Sequence, residues 1–352
     1  MSQYKLQTSF TMALVLVLAA LNGDSVQAGP KYDPTRQELE SVLADLEAWL
    51  PGDWDSFPQI HLERTLRVPV GGEHEHWYRS FARIDAPQVG PVVFYGQINV
   101  GGRDGPLLPR SQILYTAVID EQRGVVNING QSPADPEKFE NLHRHPELWK
   151  EVRMRDAAAT KCDFLWRRSG TQVVGVLDGK TDERRVKGPG TCTYTTEGGQ
   201  EFSSDAEWVL SPDELWLYDI NTLQGLQFIG RPDRTHTRLY RVRDYRCTVQ
   251  DRDGARTLDA YDRGYRMELM ELGGRTTPLW LLRGWYPDKE GHGLQDRLRL
   301  LREEAPSLAS AVVAADGEPG TRLIEWRGEG ASVQCRLVGP AGSAAAAGAA
   351  RN

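Results

Sequence analysis

The sequence predicts a mainly β protein: an antiparallel barrel preceded by one short helix and followed by a small β-rich block. Three observations carry this. From about Leu62 onward, apolar residues recur at every second position in short runs, as in strands with one buried face. Turn-forming residues such as Ser169-Gly170 and Ser211-Pro212-Asp213 separate those runs at short intervals, which suits antiparallel meanders. Helical periodicity is confined to a few short stretches.

The N-terminus reads as a signal peptide over residues 1–28. Lys5 supplies a positive start, Met12 to Leu21 an apolar run, and Ser25-Val26-Gln27-Ala28 a small-residue end suited to cleavage before Gly29. The apolar run is roughly half the length that spans a bilayer as a helix. The chain is therefore expected to be exported, to a periplasm or the extracellular space. No Cys follows the run to carry a lipid anchor, and no membrane span is expected after signal removal. The chain has 352 residues and ten Trp, enough for a substantial core. A net charge of −7 argues against nucleic acid as a partner.

Asp33-Pro34 can open a helix, with Asp as N-cap and Pro at the first position. Leu39, Val42, Leu43, Leu46 and Leu50 follow at helical spacing, and Pro51-Gly52 stops it. A short amphipathic helix over Thr35 to Leu50 would close one end of the barrel. Strands are expected around Ile113 to Ile119, Cys162 to Arg167, Gln172 to Leu177, Phe202 to Leu210 and Leu215 to Leu217, with one long strand over Arg238 to Val249. A helical insertion is expected from Asp135-Pro136 through Phe139, Leu142, Leu148 and Val152, broken at Pro146. The barrel domain is thus expected over 31–249 and the accessory block over 250–338. In that block Arg266 to Leu272, Pro278 to Trp285, Arg322 to Trp326 and Ser332 to Val338 read as strands, and Gln295 to Glu304 as a charged helix. The Ala/Gly-rich tail, 339–352, is expected to be disordered.

An even cysteine count in an exported chain points to disulfides. Pairing Cys162 with Cys192 and Cys247 with Cys335 places each bridge within one of the two proposed domains. The cysteines lack CxxC spacing, so no zinc or redox motif is expected. His74-x-His76 and His143-x-His145 have no third ligand at convincing spacing. They read as solvated surface histidines, and no metal site is expected.

Several segments resemble the CpcT/CpeT family of phycobiliprotein chromophore lyases. Leu46-Glu47-Ala48-Trp49-Leu50-Pro51-Gly52, with Phe57 and Gln59, is similar to the family's opening helix. Phe94-Tyr95-Gly96-Gln97 resembles the strand carrying its Gln. Arg110 to Tyr115 lies where a Tyr-Arg-x-Arg segment is expected, with Leu108-Pro109 in place of the Tyr. Cys162, Gly175, Cys192, Tyr194, Phe202 to Glu207 and Leu217-Tyr218-Asp219 continue the match, with Ile220-Asn221 standing where the family has Arg-Gly. The resemblance spans about Tyr32 to Thr248. It implies a calycin-like, lipocalin-like barrel whose cavity holds an open-chain tetrapyrrole (bilin) as substrate and assists its thioether attachment to a Cys of an acceptor protein. No separate cofactor is implied.

Such chemistry needs cations for the propionates, a carboxylate near the pyrrole nitrogens and aromatic walls. Arg110 is the candidate cation, with Gln97 as a further polar contact. Glu207 and Asp219 are the candidate catalytic carboxylates. Tyr115, Trp166, Tyr194 and Trp208 are the candidate stacking residues. Two other functions fit the same pattern: an exported carrier of an apolar ligand without catalysis, and a cell-envelope scaffold with no ligand. Polar groups inside the barrel would favour the lyase, an apolar interior the carrier, and a tightly filled interior the scaffold.

Overall fold

The helix that opens the fold is capped by Thr35, not by Asp33. Its side chain accepts from the Glu38 backbone N–H, and the Glu38 carboxylate accepts from the Thr35 backbone N–H. This reciprocal box starts α1 (Arg36–Trp49). Replacing Thr35 by Ala should lower stability by about 1 kcal/mol, measured by urea denaturation; an unchanged midpoint would show that the box contributes nothing. The computed structural model describes residues 33–69, 72–109, 111–155, 162–179, 191–195, 198–231, 235–272, 274–287, 290, 293–303, 311–318, 321–328 and 330–338. The signal peptide and the tail lie outside the described residues.

The strands are β1 (Gly52–Asp55), β2 (Trp77–Ile84), β3 (Val93–Val100), β4 (Ile113–Asp120), β5 (Val125–Gln131), β6 (Cys162–Ser169), β7 (Gln172–Gly179), β8 (Thr191–Thr195), β9 (Glu201–Leu210), β10 (Glu214–Leu223), β11 (Leu226–Ile229) and β12 (Thr237–Arg241). They form one twelve-stranded antiparallel sheet, and β9 also pairs β10 along its length. That pairing closes a ring through β1, β2, β3, β4, β5, β6, β7, β9, β10 and β12. With β8 and β11 outside the ring, ten strands make a closed, calycin-like barrel. Strand β8 takes over the edge of β9 where β7 leaves it, since Val176 faces Glu207 and Thr191 faces Asp205.

Leu39, Val42 and Leu46 of α1 are fully buried, and burial of each contributes about 2 kcal/mol. Val42 and Leu46 share one core with Leu50, Trp54, Leu210, Leu215 and Leu239, so the helix closes that end of the barrel. Around the closure, Arg168 pairs with Asp45 and Arg83 with Glu47.

A second helix, α2 (Phe57–Thr65), follows β1, where the alternating pattern was expected to begin. Pro58 lies in its first turn, and only Phe57 and Ile60 are buried, so its sequence carries little periodic signal. The expected insertion after Asp135 is a series of turns with two 3₁₀ segments, Leu142–Arg144 and Pro146–Leu148. It packs Phe139, Leu142 and Val152 on the barrel's outer face against Tyr95 and Leu114. His143 stacks on Tyr95 at 6.1 Å. Burial, aided by Arg144 and His145, lowers the His143 pKa to about 4. A lowered folded-state value means the unfolded chain binds the proton first. The His143 contribution is therefore intact above pH 6.5 and is lost as pH falls from 6.5 towards 4. A His143→Gln variant should show a flatter decline of melting temperature over that window; an identical slope would refute the assignment.

The run Arg238 to Val249 is not one strand. It breaks at Val242-Arg243 into β12 of the barrel and β13 (Asp244–Asp251), which pairs elsewhere. The change of sheet thus falls between Arg241 and Asp244, ahead of the expected boundary at Val249. The later strands are β14 (Gly254–Tyr261), β15 (Arg263–Met270), β16 (Thr276–Pro287), β17 (Leu294–Arg302), β18 (Val312–Asp316), β19 (Leu323–Gly328) and β20 (Ala331–Leu337). They form two four-stranded sheets, β14-β13-β20-β19 and β15-β16-β17-β18. Tyr245, Val249, Leu279, Leu281, Leu298, Leu300 and Val333 share one core between them, as in a β-sandwich. The segment expected as a charged helix from Gln295 is strand β17: Leu298 and Leu300 point into this core, while Arg297 and Arg299 pair with Asp316.

Both disulfides form as expected, Cys162–Cys192 and Cys247–Cys335. Cys247 and Cys335 face each other across β13 and β20. Cys162 and Cys192 lie on β6 and β8, which are not adjacent in the sheet. The sandwich joins the barrel through Arg103, which donates to Tyr78 and Asp244 and lies 4.5 Å from the Tyr261 ring. Phe57 of α2 stacks on Trp280 of β16 at 5.9 Å.

Candidate functional site

Strand alternation sends Trp77, Arg79 and Phe81 of β2 to the face of the barrel that carries the core, and Tyr78 and Ser80 to the outside. The middle of the barrel is filled by aromatic side chains. Phe81, Tyr115, Phe164 and Trp166 all lie within 6.4 Å of the Trp208 ring, centroid to centroid. Gly175, opposite Trp166 across β6 and β7, makes room for the indole: a Cβ there would sit 2.5 Å from Trp166. Gly175→Ala should therefore destabilise the protein by about 2 kcal/mol through overpacking, read by urea denaturation; a neutral result would mean the indole can shift.

Above this layer a buried guanidinium replaces apolar side chains. Arg79 lies 5.4 Å from the rings of both Trp77 and Trp208. Its Nη2 donates to Asp219 Oδ2 at 3.2 Å, and Trp208 Nε1 donates to Asp219 Oδ1 at 3.2 Å. Arg79 Nε is buried and has no hydrogen-bond partner. Such unsatisfied groups are few in native proteins, and a functional role is one of the explanations for them. Burial pushes the nearby Tyr115 hydroxyl up to about 12, with Asp219 adding to the rise and Arg79 opposing it.

The pair forms the floor of a recess of about 280 Å³ bounded also by Leu217, the segment Glu73 to Glu75 and the turn from Ile229 to Arg231. Gly230, at φ +88°, lets that turn cross over β10, where a Cβ would lie 1.8 Å from the Asp219 carbonyl oxygen. On the rim, His74 Nδ1 lies 2.5 Å from Glu63 Oε1 and its Nε2 3.1 Å from Thr235 Oγ1. His74 is only 7 % exposed, and His76 lies 2.7 Å from the fully buried Asp55. The first histidine pair is therefore not solvated surface, because each ring is taken up by its own carboxylate. Among the described residues, no three His, Cys, Asp or Glu converge as metal ligands.

Of the residues selected from sequence, Asp219 borders this recess; Trp208, which donates to it, lies with Tyr115 and Trp166 in the aromatic layer beneath. Gln97 is placed elsewhere. It points to the outer face, where it accepts from the Tyr95 hydroxyl and the Asn141 backbone and so holds the 3₁₀ segments to the barrel. Glu207 also points outward, is 44 % exposed, and faces His236 at 3.3 Å. Tyr194 lies on β8 opposite Phe202. Arg110 lies outside the described residues. The sequence reading missed Arg79 and Trp77, and it placed His74 on the solvated surface. A signal for Arg79 exists, since Trp77-x-Arg79-x-Phe81 puts a cation in an otherwise aromatic alternation.

No protein-family model and no curated protein matches this sequence. Among solved structures, the selenomethionine CRL protein of Arabidopsis is similar at 13 % identity, over 58 % of this chain and 97 % of that one, with a TM-score of 0.41. Among the described residues, no helix is long and apolar enough to cross a membrane.

Proposed function

We propose that this chain is an exported ligand-binding barrel of the chromophore-lyase type, which receives a linear tetrapyrrole at the barrel mouth and presents it for attachment to an acceptor protein. The observation that carries this reading is the Arg79–Asp219 pair set among Trp77, Trp208 and Tyr115 at the floor of the recess. A bilin carries propionates, ring N–H groups and a flat conjugated body. Arg79 supplies a cation for the first, Asp219 an acceptor for the second and Trp77 a surface for the third. The filled layer below the pair is what the scaffold reading expects of the interior, so a ligand has room only in the recess above it, where an acceptor protein can reach it. Two disulfides are compatible with an oxidising compartment and so with export.

The test is a titration of the purified protein with biliverdin, followed by visible absorption and circular dichroism. Saturable induced dichroism is expected, with a displaced absorption band in Asp219→Asn, which exchanges a carboxylate for a neutral amide beside the ring nitrogens. The absence of any saturable change, or a response indifferent to substitution of both Arg79 and Asp219, would sink the reading.

One observation favours binding without catalysis. Glu207 lies on the outer face, so of the two candidate carboxylates only Asp219 faces the recess, and it is engaged by Arg79. A carrier would bind the bilin with the same spectral change but would not speed thioether formation on an acceptor thiol.

A further inference from the structure

A second cavity, of about 740 Å³, lies outside the barrel between helix α2, strands β10 and β12, and strand β16 of the sandwich. Clefts between packed domains are frequent sites for small ligands. Trp216 and Tyr240 line the barrel side, and Trp285 and Tyr286 the sandwich side. Strand alternation turns Trp216 and Tyr240 to the outer face of the barrel, away from Leu215, Leu217 and Leu239 in its core. The helix is held in place from below: the Gln59 side chain accepts from the Arg238 backbone N–H at 2.7 Å.

The rim of this cleft is unusually apolar for a surface. Leu62 of α2 and Leu66, which caps its C-terminus, are 55 % and 67 % exposed, and Trp285 is 51 % exposed. All three border the same cavity. Concentrated exposure of large apolar groups around one concavity marks a binding surface. The neighbouring His61 has its pKa lowered by burial and by Arg64, so it meets a ligand as a neutral ring at pH 7.

One cation in this wall, hydrogen-bonded to the Tyr240 hydroxyl, has no carboxylate partner among the described residues. Arg238 is exposed, and its guanidinium lies over the Trp216 ring at 4.4 Å. Among the described residues no carboxylate lies within salt-bridge distance of it. Three acids on the neighbouring elements α2, β9 and β10 are already committed: Glu63 to His74, Glu207 to His236, and Glu214 to the Trp216 indole N–H. A guanidinium stacked on an aromatic face, with no anionic partner, is suited to the carboxylate of a ligand whose body lies along the same aromatic wall.

From these observations we propose that the interdomain cleft is a second binding site, for a planar aromatic carboxylate. The ring system lies between Trp216 and Tyr240 on one side and Trp285 and Tyr286 on the other, and the carboxylate meets Arg238. This site goes beyond the barrel reading and does not depend on it, because none of these residues lines the recess at Arg79 and Asp219.

The experiment is isothermal titration calorimetry of the full chain with 2-naphthoate, and with the neutral 2-naphthamide. Expected are one saturable site for naphthoate and at least tenfold weaker binding of the amide. Arg238→Gln and Trp285→Ala should each weaken naphthoate at least tenfold, while Arg238→Lys retains most of the affinity. Both positions are exposed, and unchanged thermal melting of the variants would separate lost contacts from lost fold. No saturable heat, equal affinity for acid and amide, or naphthoate binding untouched by Arg238→Gln and Trp285→Ala would each overturn the proposal. Failure of biliverdin to bind at the barrel mouth would leave this result standing.

Discussion

Arg79→Ala is expected to abolish the biliverdin response and to lower stability by about 3 kcal/mol, the scale for removing one partner of a largely buried ion pair. The substitution leaves Asp219, only 22 % exposed on its side chain, with the Trp208 indole N–H as its remaining side-chain donor among the described residues. It also removes the cation between the Trp77 and Trp208 rings, each contact worth about 1 kcal/mol. Combining Arg79→Met with Asp219→Asn should recover part of the stability, because no charge is then left uncompensated, but none of the ligand response. Urea denaturation followed by tryptophan fluorescence measures the first quantity, and biliverdin titration the second. A loss below about 0.5 kcal/mol for Arg79→Ala would show the pair to be solvated like a surface bridge, and the site would lose its main physical support.

Removing the Cys247–Cys335 bridge, by replacing both with Ala, should cost about 4 kcal/mol. The two residues are 88 apart in sequence, and closing a loop of that length removes roughly this much chain entropy from the unfolded state. The cysteines are fully buried and opposed in register, so Ala also opens space in the sandwich core. The Cys162–Cys192 bridge closes a shorter loop, with a separation of 30, and should contribute about 1 kcal/mol less by the same entropy argument. Denaturation midpoints of the two double variants test the order. Equal or reversed losses would mean that packing around each bridge outweighs loop length.

Much of the barrel was legible because one face of nearly every strand is buried. The alternations at Ile113 to Ile119, Cys162 to Arg167 and Phe202 to Leu210 reappear as β4, β6 and β9. The elements that were misread share a physical cause. In β17 the leucines at 298, 300 and 301 fit both a strand and a helix, and the strand is the form that pairs along β16 and β18, with Arg297 and Arg299 meeting Asp316. In α2 only two residues are buried, so burial leaves no period to read. The break at Val242-Arg243 falls where Arg241, Arg243 and Asp244 interrupt the apolar alternation, and β12 and β13 on either side are each a good strand in a different sheet.

The site shows the same division. Trp208, Tyr115 and Asp219 were visible as aromatic and acidic positions on alternating strands, but a strand pattern gives two faces and does not say which one is the interior. Register assigned Glu207 and Gln97 to the outside, and it put Arg79 inside, paired with an acid 140 residues away. What this sequence determined by itself was local: the β periodicity, the capped first helix, the cysteines available to pair and the aromatic content of the strands. Tertiary structure alone decided ring closure between β9 and β10, the handover from barrel to sandwich, and which charges meet. These depend on contacts between residues far apart in the chain, whose free energy exists only once both partners have been brought into register.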